Sequence, residues 1–286
     1  MNVKRSYVIS LIIVIVTIAL NNYTESIPLH LSFFTEREEK YESEEHSLRV
    51  LTYNIGLQSR YIATEPDSVS LFIAMLEQYK PDILVLPESR LWSKPRLRSE
   101  LDKLYSYSIS TAYAGKEAYI ETFIFSRFPL SNIHTIGRHY IYSAEVCLPH
   151  DQQLTLIACH LSSNQHHSSL TGGKGFFENL SQGYKQRQQE VVDICDSLQF
   201  CNTPILLCGD LNDFSGSSTL NILQDRLQLH DAWWRGGFGY GATFTGKHLY
   251  LRLDHILFSH HLKLQQVSIP NISLSDHRPL IAEFQL

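Results

Sequence analysis

Beyond Ser47 the chain breaks into short apolar runs, separated by polar turns and by two longer stretches with helical spacing. The runs LRVLTYNI, DILVLP, AYIETFIFS, QLTLIACHL, PILLCGDL, LDHILFS and PLIAEFQL are rich in β-branched and aromatic residues, and each reads as a strand. Val69, Phe72, Ile73 and Leu76 recur on one face of a helix over Asp67 to Tyr79. Tyr184, Val191, Ile194, Cys195 and Leu198 do the same over Ser181 to Leu198. Pro81 and Pro204 then stop the two helices and lead into strands. His166 to Gly175 and Gly236 to Gly241 have no apolar period and read as flexible loops, and there is no internal repeat. Two helices cannot cover both faces of a single seven-stranded sheet. Two sheets packed face to face with helices outside bury every apolar face, so the expected architecture is α+β, layered α/β/β/α, over residues 47 to 286.

The N-terminal pattern is different. MNVKR precedes Tyr7 to Leu20, fourteen residues without a charge. That is short of the roughly 20 needed to span a bilayer as a helix and suits the apolar region of a signal peptide. Residues 1 to 20 are therefore expected to form an apolar helix acting as signal peptide or signal anchor, with Thr17-Ile18-Ala19 as the available cleavage site. Positive charge ahead of the run places the remainder outside the cytoplasm. The protein would be membrane-anchored with an extracytoplasmic domain, or secreted if the segment is removed. No Cys follows the run, which argues against a bacterial lipoprotein. Residues 21 to 46 read as an acidic tether, with six Glu between Glu36 and Glu45 against Arg37 and Lys40.

Length and composition, 286 residues with 43% hydrophobic, allow one large domain or two small ones with ample core. Charge matters more. Glu36 to Glu45 carries −4, Lys4 and Arg5 carry +2 and Glu25 −1, so about −2 of the net −5 remains from residue 47 onward. Near neutrality argues against a protein that holds duplex nucleic acid by charge alone. The five cysteines form no disulfide framework; Cys159 and Cys208 read as buried small hydrophobes, while Cys195 and Cys201 could pair across a helix end. Asn22, Asn179 and Asn271 open glycosylation sequons that matter only in a secretory host.

Candidate chemistry comes from where the polar residues fall. Successive runs end in Asn54, in Glu88, in His160, and in Asp210 with Asn212; LDHILFS holds Asp254 and His255, and Asp276-His277 precede the last run. A single acid at a strand end is an ordinary turn residue. Six such ends collected on one sheet edge make a site. Glu88 and Asp276 are hard oxygen donors of the kind Mg2+ (or Mn2+) takes, and no cluster of thiolates and histidines marks a structural zinc. Asn54 and Asn212 can position a phosphate or a nucleophile without adding charge, and Asp210 can hold a water. His277 can exchange a proton if a carboxylate such as Asp254 orients it.

The motifs RVLTYNIG, PDILVLPE, FIFSRFPL, LIACHLSS, PILLCGDLND, RLDHILFS and LSDHRPLIAEF, in that order, resemble the endonuclease/exonuclease/phosphatase superfamily. That group includes pancreatic-type deoxyribonucleases, abasic-site endonucleases, neutral sphingomyelinases and inositol polyphosphate 5-phosphatases. The resemblance runs from about residue 47 to the C-terminus, and GDLND with SDHRPL is its most specific part. It implies the four-layer sandwich of deoxyribonuclease I and a metal-dependent phosphodiesterase or phosphatase. Glu88 would be the main metal ligand, with Asn54 beside it and Asp276 closing that side. Asp210 and Asn212 match the residues that position water and phosphate, and His277 the catalytic histidine with Asp254 as its orienting acid. His160 matches the phosphate-binding histidine of the deoxyribonuclease-like and sphingomyelinase-like branches, where abasic-site enzymes carry other residues. Pro87 stands where the family commonly has Gln. The implied substrate is a phosphoester, in nucleic acid or in a lipid or inositol phosphate headgroup. No protein partner is implied, and contact with a membrane comes through the N-terminal segment. Arg90 and Arg96, in a basic group with Lys94 and Arg98, are candidates for a substrate clamp. Asp213 is expected to cap a helix over Ser217 to Gln224, and His255 to pack. Of Trp233 and Trp234, one is expected in the core and one exposed.

Overall fold

The computed structural model describes residues 47–56, 66–89, 94–110, 121–137, 141–163, 174–246, 249–272 and 274–286. The N-terminal apolar segment, the acidic tether, Arg90 and most of the 166–175 loop lie outside them. The strands are Ser47–Thr52 (β1), Ile83–Ser89 (β2), Tyr107–Ser110 (β3), Glu121–Ser126 (β4), Leu130–Thr135 (β5), Ile141–Cys147 (β6) and Gln153–His160 (β7). They continue with Ile205–Asp210 (β8), Leu229–Asp231 (β9), Phe244–Gly246 (β10), Leu249–Leu251 (β11), Asp254–Ser259 (β12), Lys263–Ser268 (β13) and Leu280–Gln285 (β14). The helices are Pro66–Tyr79 (α1), Pro95–Leu104 (α2), Lys174–Leu198 (α3), Ser218–Leu227 (α4) and Ala232–Gly236 (α5). Among the described residues, no helix is long and apolar enough to cross a membrane.

Two six-stranded sheets result, ordered β13-β14-β1-β2-β4-β3 and β5-β6-β7-β8-β12-β9, with β10-β11 as a separate pair. Alternation along the strands sorts their side chains into three apolar layers. Val50, Val85, Leu280 and Phe284 of the first sheet meet Leu156, Cys208 and Ile256 of the second. On the outer face of the first sheet, Leu51, Leu84 and Leu86 pack on Phe72 and Leu76 of α1 and on Leu97 and Leu101 of α2. Ile157, Leu207 and Leu257 of the second sheet pack on Val191 and Ile194 of α3 and Leu220 and Leu223 of α4. Successive residues such as Leu156 and Ile157 are both fully buried, which is why these runs read as continuously apolar; each contributes about 1.5–3 kcal/mol on burial. The layered α+β expectation is met.

Strand direction decides where the polar ends go. β1 runs parallel to β2 and β7 parallel to β8, with His160 in register with Asp210. Residues following β1 and those ending β2, β7 and β8 therefore leave in common directions within each sheet. β12 runs antiparallel to β8 and pairs Asp254 with Asp210, so Asp254 stands at the start of its strand rather than within it. β14 runs antiparallel to β1, which brings the residues preceding it to the same end.

Several local expectations are revised. The second long helix begins at Lys174, inside the stretch read as a loop, because its first turns carry no apolar period. The next helix is capped by Ser217, whose side chain accepts from Leu220 N, and Asp213 is used elsewhere. Cys195 and Cys201 are both free thiols. The Gly236–Gly241 stretch is held down on Trp233, whose Nε1 donates to Gly239 O at 3.0 Å. Strands β3, β5, β6, β9, β10, β11 and β13 were not legible as runs.

One glycine is obligatory. Gly209 sits at φ +144 opposite Cys159, and a Cβ there would lie 1.8 Å from Cys159 O. Gly209→Ala is expected to cost at least about 3 kcal/mol through this clash. A lowered midpoint in urea unfolding would register it, and a midpoint equal to the parent's would contradict the strand pairing.

Candidate active site at the seam between the sheets

The sheet ends that carry Asn54 and Glu88, from the first sheet, meet the ends that carry His160, Asp210 and Asp254, from the second. Asn54 is fully buried just beyond β1, and its amide nitrogen bridges the seam. It donates to Glu88 Oε2 at 2.9 Å and to Asp210 Oδ2 at 2.8 Å. Its Oδ1 accepts from Gly56 N at 2.8 Å. Asn54, expected on the metal side beside Glu88, turns its oxygen to the backbone and holds two carboxylates together through its nitrogen. Asp210 Oδ1 accepts from Asn212 N at 2.8 Å, while Asn212 Nδ2 donates to Leu161 O at 2.8 Å.

A second link crosses the seam at His277, whose Nδ1 lies 2.7 Å from Asp254 Oδ2 and whose Nε2 lies 3.8 Å from Asp210 Oδ2. His160 Nε2 stands 4.0 Å from Glu88 Oε2 and 3.9 Å from Asp210 Oδ2. Glu88, His160 and Asp210 thus offer ligand atoms within 4.8 Å of one another, as do Asp210, Asp254 and His277. Asp276 belongs to neither group. It is exposed, with Oδ1 accepting from Ser275 Oγ at 3.1 Å, and its backbone oxygen accepts from Thr245 N. Arg96 is exposed on α2, and Arg90 is outside the described residues, so the clamp is not assembled among them.

Backbone conformation aims two of these residues. Glu88 and Asn212 have φ of +52 and +48, left-handed values that cost a non-glycine residue about 1–2 kcal/mol. Pro87 has no N–H for the ladder, and the register between β2 and β4 is interrupted between Leu86 and Ser89. That interruption lifts Glu88 out of the sheet toward the seam.

The electrostatics follow from burial. Burial raises the Asp210 carboxyl above its usual range and the nearby Asp254 charge adds to it, against the pull of His277 and His160. Burial alone would lower His277, but Asp254 beside it, then Asp210 and Asp276, push it up to about 10. The seam therefore concentrates negative charge, with the His277 imidazole as partial compensation. Carboxylate oxygens so placed, one of them kept from ionising easily by its neighbours, are the donor set a divalent cation fits.

Behind these residues lies a buried ionic network that no local pattern in the chain announces. Asp213 Oδ2 accepts from Thr219 Oγ1 at 2.7 Å and pairs with Arg187 Nε at 3.3 Å. Arg187 Nη1 and the Glu190 carboxylate both hold Ser162, the residue two beyond His160. His255, expected only to pack, has Nε2 at 3.0 Å from Asp213 O and Nδ1 at 3.2 Å from Asp231 Oδ2. Arg252 Nη1 donates to both Asp231 oxygens at 3.0 and 2.9 Å. Burial opposes ionisation of Asp231, but bonds to His255 and Arg252 bring it down to about 2. Helical spacing masks Arg187 and Glu190 as an ordinary solvated face; only the fold reveals them.

The sequence pattern of the Endonuclease/Exonuclease/phosphatase family matches residues 51–277. The chain belongs to this family. Solved structures share its fold: the endonuclease/exonuclease/phosphatase from Bacteroides vulgatus has a TM-score of 0.64 at 16% identity over 84% of this chain and 99% of that one. D. rerio TDP2 complexed with single strand DNA product has a TM-score of 0.61 at 14% identity, over 84% and 99%. A UPF0294 protein of Vibrio cholerae is 29% identical over 111 residues, 38% of this chain. The chain spans only 37% of that curated relative's length.

Two outcomes are expected. His277 in the folded protein titrates above its ordinary 6.5, so its stabilising contribution is complete below that pH and is lost as pH rises through about 10. Urea unfolding of chelator-treated protein should show this loss, and Asp254→Asn should flatten it; an unchanged slope in the variant would contradict the pairing. His255→Gln should lower kcat about 10–100-fold and lower the melting temperature with it, with KM nearly unchanged, since it removes a buried partner of Asp231 and releases the Asp213 carbonyl without touching the substrate contacts.

Proposed function

We propose that this family member is a divalent-metal-dependent phosphodiesterase, acting outside the cytoplasm on nucleic acid or another phosphodiester. The observation that carries the reading is the pair of cross-seam links, Asn54 to Glu88 and Asp210, and His277 to Asp254. Glu88, beside Asp210 and His160, would hold the ion, Mg2+ or Mn2+, which when bound would neutralise phosphate charge and lower the pKa of a water. Asp254 holds the Nδ1 proton of His277, leaving Nε2 to present a proton toward a phosphate oxygen at neutral pH. Asp210, whose burial favours taking up a proton, is placed to receive one from the attacking water. His160, beside Glu88 and Asp210, is placed to meet the phosphate, and Asn212 to orient it. Arg90 and Arg96 would extend this contact along a longer substrate.

One observation favours a second reading. The apolar segment from Tyr7 to Leu20 and the tether behind it would hold the domain at a membrane, where lipid or inositol phosphate headgroups are the available phosphoesters. A non-catalytic binding module is disfavoured because none of the expected catalytic positions is lost.

The deciding experiment is hydrolysis by the full chain with Mg2+ or Mn2+ of bis-p-nitrophenyl phosphate, single-stranded oligonucleotide, plasmid DNA, sphingomyelin and inositol phosphates. Phosphodiester cleavage abolished by chelator is expected, with His277→Ala slower by about 10²–10⁴-fold. Cleavage of the lipid or inositol substrates alone would select the second reading. No hydrolysis, together with no metal binding in calorimetry, would overturn both.

A further inference from the structure

We propose that the exposed aromatic residues between Trp234 and Tyr250 form a rim that receives unpaired bases of a nucleic-acid strand whose phosphodiester lies at the His277–Asp254 pair; this rests on the phosphodiesterase reading above. Among the described residues eight large hydrophobic side chains are exposed, and four of them fall in this span: Trp234 at 71%, Phe238 at 86%, Tyr240 at 56% and Tyr250 at 43%. All four are aromatic. The other four, Leu71, Tyr107, Ile133 and Phe200, are scattered along the chain. Isolated exposed apolar residues need no explanation, whereas a concentration of them marks a recognition surface.

The rim is held in place rather than loosely displayed. Trp233 lies under it, and a Cβ on Gly237 or Gly241 would come within 2.3 Å of the indole, so only glycine lets the segment close down on that ring. The bond from Trp233 Nε1 to Gly239 O fixes the midpoint, with Phe238 and Tyr240 on either side of Gly239. Trp234 covers Arg252, whose Cζ is 5.8 Å from the ring centroid, and the Tyr240 hydroxyl is hydrogen-bonded to the Arg252 backbone. The guanidinium beneath the indole adds cation–π attraction and leaves the other face of Trp234 available.

Continuity with the catalytic seam identifies the occupant. The same segment runs on to Thr243, whose Oγ1 accepts from Leu253 N and Asp254 N at 3.1 and 3.0 Å. The next ring, Phe244, meets His277 edge-on with centroids 5.1 Å apart. Tyr240 and Phe244 are four positions apart, at most about 14 Å of chain. The groups flanking a phosphodiester at His277 therefore have the rim beside them. With the folded part close to neutral, stacking adds affinity that net charge does not supply. Aromatic faces take any base, but only one whose own face is not already stacked in a duplex.

The test compares the full chain with Phe238→Ala and Trp234→Ala on a single-stranded oligonucleotide, on its duplex and on bis-p-nitrophenyl phosphate. Phe238 is the cleaner probe, since Trp234 also shields Arg252. Each variant should raise KM for the single strand about tenfold, equivalent to about 1.4 kcal/mol, with hydrolysis of the small diester unchanged and Trp234→Phe restoring the parent value. Equal KM for parent and variants would overturn the rim. So would an oligonucleotide KM indifferent to the variants alongside their loss of binding to phosphatidylcholine and phosphatidylglycerol vesicles, which would assign the surface to a membrane. If the parent does not cleave even the small diester, the phosphodiesterase reading has failed. Oligonucleotide binding by fluorescence anisotropy then decides the rim separately: weaker binding by Phe238→Ala supports it, and equal binding removes it.

Discussion

A carboxylate with almost no access to water stands at the end of β8, and the polar half of the molecule is arranged around its charge. Asp210 is 1% exposed. An ionised group so placed is costly unless hydrogen bonds and countercharge surround it. Asn54 and the Asn212 backbone supply the hydrogen bonds, His277 supplies countercharge, and the His160 ring lies 3.9 Å away. Each of these partners arrives from a different strand end, so satisfying one buried charge fixes the relative placement of four segments distant in sequence.

The partners are themselves supported. His277 is oriented by Asp254, whose backbone N–H is held by Thr243. The turn after Asp210 is clamped at Asp213 from two sides, by Arg187 of α3 and by His255 with Asp231 and Arg252. Breaking one member of a buried ionic group leaves its partner uncompensated, at a cost of about 3–5 kcal/mol. Such groups contribute less to net stability than apolar packing of the same volume would. What they provide is a single geometry, and that is what a site of closely spaced acids requires.

Much of this was legible in the chain itself, for identifiable reasons. Strands buried on both faces announce themselves as uninterrupted apolar runs, and β1, β2, β7, β8 and β14 are of that kind. Strands with one wet face or only three residues, such as β5, β9 and β13, carry no comparable signal. Site residues were visible wherever a polar side chain broke an apolar run, as at His160 and Asp210. Asn54 was visible too, but not its orientation, because nothing local says that its nitrogen would face two acids. Asp276 was visible as a hard oxygen donor next to His277, but not that the turn before β14 leaves its side chain exposed. Arg187, Asp231 and Arg252 were invisible, since their meaning lies entirely in contacts across the fold.

Because the two cross-seam links join separate sheets, the spacing of the reacting groups is set by how thick the apolar layer between those sheets is. Val50, Leu156, Cys208 and Phe284 act as shims in that layer. A methyl group added or removed there would shift His277 against Asp254, and Glu88 against Asp210, without altering any polar residue. Rate in this scaffold can thus drift through its greasiest positions. Homologues with identical polar residues can differ in speed for reasons written only in their aliphatic side chains.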